Sequence, residues 1–410
     1  MTAGAAGGAA VTRGPVRTRI ESKVDRWLGR SEPTAVGRWF WELDRVLLLL
    51  VLLLIAIGLV SVAAASPASA QRYSGGSVVV PPLTFFWRQA MWVAISLPVM
   101  LAVSMLPIEK ARRWALMGAA FFSVMLFLTP LIGAEINGAK RWIGVGFTQF
   151  QPSEFLKPLY VIATAWLLSL RASDRTLPVV PITGAITALI ALMLMRQPDL
   201  GQSVVFVGMW IALLVISGAS MRILGMLGAA AVGAIVAAYL FYDTARLRID
   251  GFLFSEGDTY QTDMAHATIT AGGLLGAGPG GGEAKFRLPE AHTDYIFSVI
   301  GEEFGLIACA GVALVFLAIV VRVFLKLLDE QDEFRLLAAA GLAVQFGLQA
   351  FINMAVNVQI APSKGMTLPF ISYGGSSMIA LSMGMGLLLA FTRRNPYLNK
   401  SPYIIRWSGR

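Results

Sequence analysis

Ten apolar runs follow one another between Val46 and Phe391, each near the roughly 20 residues a helix needs to cross the hydrocarbon core of a bilayer. They are Val46–Ser66, Phe86–Leu106, Ala115–Gly133, Phe155–Leu170, Pro178–Met195, Ser203–Ala219, Ile223–Tyr242, Ile296–Leu325, Leu336–Asn357 and Met378–Phe391. No polar stretch between them is large enough to fold separately. Of the 410 residues 56% are hydrophobic and only 14% charged, with a mean hydropathy of +0.69, a balance that excludes a soluble protein. Lipid offers no partner to an open backbone, so runs of this length read as helices. The expected fold is an all-α polytopic membrane protein with ten transmembrane helices, one membrane domain over residues 45–394. The Ala/Gly/Arg-rich segment ahead of it, within residues 1–44, has almost nothing to bury and is expected to be a disordered tail. A second tail covers residues 395–410.

An even number of spans puts both ends of the chain on one side, and the basic residues say which. With the N-terminus inside, two thirds of the 33 lysines and arginines fall in the tails and in the connections that share their side, as the positive-inside rule requires. Both termini are then cytoplasmic, and residues 243–295, between the seventh and eighth runs, form a large external loop. Basic tails beside anionic membrane lipid account for the net charge of +9 and the pI near 9.8, with no nucleic acid needed as a partner. Ala68-Ser69-Ala70 imitates a signal-peptidase site, but the apolar run before it is long and begins only at Val46, so an uncleaved helix is expected. The single cysteine, Cys309, lies inside the eighth run; it excludes an intramolecular disulfide and has no neighbours for thiol catalysis.

Nearly all the unusual chemistry sits in the connections assigned to the outside. They read NGAKRWIGVGFTQFQPSEFLKP after the third run, RQPDLGQS after the fifth, GGLLGAGPGGGEAKFRLPEAHTDY before the eighth and VQIAPSKGMTLPFISYGGSS after the ninth. LPEAHTDYIFSVIGEEFG and KGMTLPFISYGGSS, in this order and at this separation, resemble the signature segments of the SEDS family (shape, elongation, division and sporulation). The resemblance covers roughly Trp41 to Pro396. Ser363-Lys364-Gly365-Met366 and Gly301-Glu302-Glu303 are similar to the division-type members rather than the elongation-type ones. It implies ten transmembrane helices, an external reaction centre and a peptidoglycan glycosyltransferase activity on lipid II, a disaccharide-pentapeptide carried on undecaprenyl pyrophosphate. It also implies a class B penicillin-binding protein transpeptidase and other division proteins as partners, a place in the inner membrane at the division septum, and dependence on a divalent cation such as Mg2+, for which no ligand set is legible.

Extending a glycan on a lipid pyrophosphate needs a base for an acceptor hydroxyl, cations for the leaving pyrophosphate and an apolar groove for the lipid. Asp294 is the expected base, placed just before the eighth run where partial burial would raise its pKa. Spacing alone favours a helix cap at Thr293 or Asp294; the resemblance, in which the aspartate of the HTD motif is essential, favours the base. Glu290, four residues earlier, would share a helical face with Asp294, although Pro289 makes a helix there doubtful, and it stands as a secondary substrate or metal contact. His292 and Ser372 are further candidates for substrate contact, with structural hydrogen bonding as the alternative for His292. Cations are available at Lys140, Arg141, Arg196, Arg246, Arg248, Lys285, Arg287 and Lys364; the resemblance favours Arg141 and Lys364, against ordinary lipid-headgroup contact. Glu302 and Glu303, inside a span, suit function or hydrogen bonds to neighbouring helices equally. Gly276 to Gly281 matches G-x-G-x-x-G, but no strand precedes it, so its glycines are expected to let the loop bend rather than bind a dinucleotide.

Three function classes fit these features: an enzyme polymerising lipid II, a transporter flipping it, and a scaffold for other wall enzymes. Charge gathered at one face favours the enzyme. A transporter would show polar groups through mid-membrane, and the stripe Gln345, Gln349 and Asn353 is the best sign of that; hydrogen bonding between helices explains it as well.

Overall fold

The computed structural model describes residues 35–75, 79–136, 138–144, 149–174, 176–254, 260–362 and 365–393. Every expected run coincides with a helix: α2 (Arg45–Tyr73), α3 (Thr84–Ser104), α4 (Ile108–Ile132), α5 (Pro152–Ser173), α6 (Val179–Met195), α7 (Leu200–Ile216), α8 (Met221–Phe241), α11 (Ile296–Leu327), α12 (Glu333–Asn357) and α13 (Gly375–Phe391). Among the described residues, seven of these are long and apolar enough to cross a membrane; α6, α7 and α13 are equally apolar but 17 residues long. Their ends follow local chemistry. Asp44 caps α2 by accepting from the Val46 and Leu47 amides, and Pro152 opens α5 at a position where a missing N–H costs nothing. Asp44 also binds Lys326 Nζ at 2.9 Å and Arg322 Nε at 3.1 Å, tying the start of α2 to the end of α11. Helix α2 runs unbroken past Ala68, Ser69 and Ala70, all buried, so the imitation cleavage site is helix interior.

Three features depart from the sequence reading. The tail expected over residues 1–44 contains a helix, α1 (Ala35–Glu42), outside the unit Leu43–Arg394. Its residues Trp39, Phe40 and Trp41 are interfacial side chains rather than the Ala/Gly composition of the preceding segment. The connection 243–295 is partly helical, with α9 (Asp243–Phe254), α10 (Tyr260–Ala271) and a 3-10 turn at Ala284–Phe286. Helix α11 is broken at Gly305, whose φ of 82° and ψ of 173° lie where only glycine is comfortable. Backbone from the glycine-rich loop fills the break: Ala277 and Gly278 donate to the Glu302 and Glu303 carbonyls at 2.8 and 3.0 Å, and Leu306 donates to Gly273 O at 3.0 Å. The hydrogen bonds lost at the break are thus replaced from outside the helix.

Buried residues concentrate on α12, α13 and α5, whereas α8 buries none. The segment after α12 dips back into this centre, burying Leu368, Phe370 and Ile371. Irregular backbone at that depth is tolerated only inside protein. Gly58 on α2 makes the approach possible, since a Cβ there would lie 2.4 Å from Phe370 O. Between α4 and α5, β1 (Ala134–Ile136) pairs antiparallel with β2 (Ala139–Trp142), which carries Lys140 and Arg141.

Candidate active site

Asp294 lies in the turns that precede α11, among two returning segments and a buried helix. The turn residues 289–295 are not helical; Glu290, after Pro289, has a φ of 50°. Glu290 and Asp294 therefore do not share a helical face, and Thr293 Oγ1 holds the Glu290 carboxylate at 2.9 Å instead. Nor does Thr293 or Asp294 cap α11. The cap residue Tyr295 makes no side-chain cap bond, and the Ser298 amide is shared between Tyr295 O and Asn357 Oδ1 of α12, each at 3.1 Å. Among the described residues, no hydrogen bond reaches the Asp294 carboxylate, which faces Gly365: a Cβ there would sit 3.1 Å from Oδ2.

Burial pushes the Asp294 carboxyl up to about 7, with the charges of Glu290 and Asp199 adding to the rise and Arg141 opposing it. Asp199 itself, in the turn before α7, is raised by burial against the pull of Arg141. The opposite happens to His292. Burial lowers it to about 4, against Glu290, so its ring is neutral; it bonds Ser69 Oγ at 2.8 Å and packs 4.3 Å from Phe85 and 5.2 Å from Tyr373, ring centre to ring centre. These contacts fit the structural alternative for His292.

Ser372 joins the two signature segments, accepting from the Leu368 amide at 2.7 Å and donating to Thr293 O at 2.6 Å; the Tyr373 amide donates to His292 O at 2.8 Å. Asp294, Glu290, His292, Ser372 and Gly365 are thus brought together. Arg141 is close enough to act on the Asp294 and Asp199 carboxyls, but its Nε and Nη2 donate to the carbonyls of Gln197 and Pro198 at 2.9 and 2.5 Å. Lys140, on the other face of β2, is exposed. Lys364 lies outside the described residues. Lys285 is withdrawn from the set of available cations because its ammonium is buried against Glu303. Glu303 also accepts from Gly280 N, and Glu302 accepts from the amides of Ala284 and Lys285 at 2.6 and 3.0 Å. The two glutamates hold the glycine-rich loop rather than a neighbouring helix.

The sequence reading missed Asp199, Asn357 and the buried pair Glu154 and Lys157, whose Nζ reaches Glu154 and Gln349, each at 2.8 Å. Lys157 inside an apolar run was the available signal, because a charge within a span is costly; Asp199 stood in RQPDLGQS without a distinguishing pattern. The stripe on α12 is hydrogen bonding between helix and loops. Gln349 donates to Thr367 O, and Asn353 donates to the carbonyls of Asp294 and Met366. Among the described residues, no three His, Cys, Asp or Glu side chains gather to form a metal cage, so the described residues do not by themselves fit a resident divalent ion.

Residues 44–397 match the profile of the FtsW/RodA/SpoVE family, described as cell cycle protein. The chain is 39% identical over 385 residues to a probable peptidoglycan glycosyltransferase FtsW of Caulobacter vibrioides, covering 92% of this chain and 96% of that one. It is 34% identical over 381 residues to the probable peptidoglycan glycosyltransferase FtsW of Alkalilimnicola ehrlichii, with 90% and 94% covered. Among solved structures it resembles a chain from a peptidoglycan synthase complex that coordinates polymerization and crosslinking, with a TM-score of 0.69, 26% identity, and 85% of this chain and 97% of that one covered. The rod shape determining protein RodA of Thermus thermophilus is similar with a TM-score of 0.63 and 26% identity, covering 85% and 96%.

Proposed function

The chain belongs to the FtsW/RodA/SpoVE family of cell cycle proteins, and from that premise we propose that it is a peptidoglycan glycosyltransferase that polymerises lipid II during cell division, with Asp294 as general base. The observation that carries the reading is a half-buried carboxyl, raised by its surroundings to about 7, unclaimed by a cap and lying where the two signature segments meet. Such a group accepts a proton near neutral pH without being lost to water. In the step it serves, the acceptor hydroxyl oxygen bonds to the donor's anomeric carbon as the bond to pyrophosphate breaks. The hydroxyl proton goes to Asp294, and the electron pair leaves with the lipid pyrophosphate. Arg141 and Lys364, with Lys140 at the rim, are the cations proposed to meet the pyrophosphate; Glu290 and Ser372 line the sugar side, and His292 keeps the turn in shape. A divalent cation would enter this scheme as the pyrophosphate's own counter-ion.

We propose ten membrane spans with both termini cytoplasmic and the connection 243–295 outside, a reading supported by the ten apolar helices and the Lys and Arg bias, and with it a reaction at the outer face of the inner membrane, at the septum in a dividing cell. Likeness to a chain of a peptidoglycan synthase complex supports a partner that crosslinks, a class B penicillin-binding protein transpeptidase.

The test is polymerisation of labelled lipid II by purified protein with that partner, in detergent, where no membrane remains to flip across. Asp294→Asn keeps the side chain's shape and should lose about 100-fold to 10,000-fold in rate. A variant polymerising at the wild-type rate would remove Asp294 as base. Wild-type protein that makes no polymer yet moves lipid II across vesicles would replace the enzyme by a flippase.

A further inference from the structure

The geometry points to Asn353 and Asn357 as positioning residues that fix the Asp294 backbone from α12 and leave its carboxylate free for the acceptor. This rests on the reading of Asp294 as the base. Both side chains are fully enclosed, at 2% and 0% exposure. Asn353 Nδ2 donates to Asp294 O at 2.8 Å and to Met366 O at 2.6 Å; Asn357 Nδ2 donates to the same Asp294 carbonyl at 3.1 Å. With two amide donors on one carbonyl, the peptide after Asp294 cannot turn without stranding buried polar groups.

The other end of Asn357 does what the local sequence leaves undone. A helix starts with unpaired amides, and an aspartate just ahead of one is the usual acceptor. At α11 the side-chain acceptor is Asn357 Oδ1, which shares the Ser298 amide with Tyr295 O, each at 3.1 Å, and takes the Ser298 hydroxyl at 2.8 Å. Capping from a second helix releases Asp294 from the role its position would otherwise assign it. Because Asn353 also grips Met366, next to Gly365, one helix sets the base and the segment opposite it at the same time.

The probe is the pH dependence of labelled lipid II polymerisation by the full chain with its transpeptidase partner. The groups acting on the carboxylate are Glu290 from its own turn, Asp199 from the turn before α7 and Arg141 from β2, and none is altered by the variants. Asn353→Ala should let the turn relax toward water, so that the acid limb of the profile moves below its wild-type position near pH 7 and the plateau falls about 100-fold, the scale for a base misplaced by about 1 Å. Asn357→Ala removes the donor to the Asp294 carbonyl without adding a charge beside the carboxylate, and should do the same. Variants that insert normally and keep limb and plateau would overturn the inference, as would lower yield with an unmoved limb. Failure of both to accumulate would assign the pair to the fold and overturn it as well. A wild-type profile with no limb, or an active Asp294→Asn, strikes instead at the base itself.

Discussion

Asp294→Asn should stabilise the protein while abolishing its activity. The Asp294 carboxyl is raised from 3.8 to about 7 by burial first, then by Glu290 and Asp199. A carboxyl with a raised folded pKa keeps its proton in the folded state at pH values where the unfolded chain has lost it. Stability therefore falls as pH rises between about 4 and about 7, and stays level above that. Each pKa unit is about 1.4 kcal/mol, so the cost of this one group approaches about 4 kcal/mol at pH 8 but only about 1.5 kcal/mol at pH 5. An asparagine of the same shape carries no such cost, and no cap is lost with the carboxylate, because α11 is capped by Asn357. Thermal unfolding of both proteins in one detergent, at one scan rate and at both pH values, reads the difference; other titrating groups cancel between the two proteins at a given pH. The midpoint of the variant should exceed the wild type by clearly more at pH 8 than at pH 5. A gap that is absent, or does not widen with pH, would refute the account of Asp294 as a carboxyl held at a cost by its surroundings.

Two other outcomes are expected. Lys285→Met or Glu303→Gln alone should destabilise by about 3–5 kcal/mol, because each leaves a buried polar partner unpaired, while the double variant should recover a substantial part; equal losses in single and double variants, read by thermal unfolding, would show that the pair does not act as one. In a Cys309→Ala background, Gly280→Cys and Ala361→Cys should react with an impermeant thiol reagent on intact cells and Asp332→Cys should not, and labelling at Asp332 would invert the proposed topology.

The helices were legible because burial in lipid demands long apolar runs, and that demand is local. Their ends were legible only to within a few residues: Phe155–Leu170 became Pro152–Ser173, where a proline opens the helix. The break at Gly305 was hidden, since a lone glycine in an apolar run is compatible with an unbroken helix and its positive φ depends on a loop that arrives from Gly272 to Gly278. Asp294 could be singled out only through the resemblance, because spacing by itself suited a cap. What settles the cap lies 59 residues away in the chain. Arg141 was found as a residue, but its engagement with the carbonyls of Gln197 and Pro198 depends on a turn that no pattern in the sequence links to β2.

The stripe on α12 also bears on the choice between enzyme and transporter. A substrate moving through the domain needs polar groups that can exchange partners along the way. Here the amide of Gln349 donates to Thr367 O, that of Asn353 to the Asp294 and Met366 carbonyls, and that of Asn357 to Asp294 O and Asn353 O. Within the stripe only Gln345 Oε1 is buried without a partner. Passage beside α12 would strand several of these buried donors and acceptors, at about 1–3 kcal/mol each, and would release the two segments whose meeting defines the site. Polar residues committed in this way fit a helix that holds a reaction centre still, and the same commitment explains why glutamine and asparagine, rather than ionisable side chains, occupy the stripe: they supply donor and acceptor together without adding a charge beside a carboxylate that must stay dry.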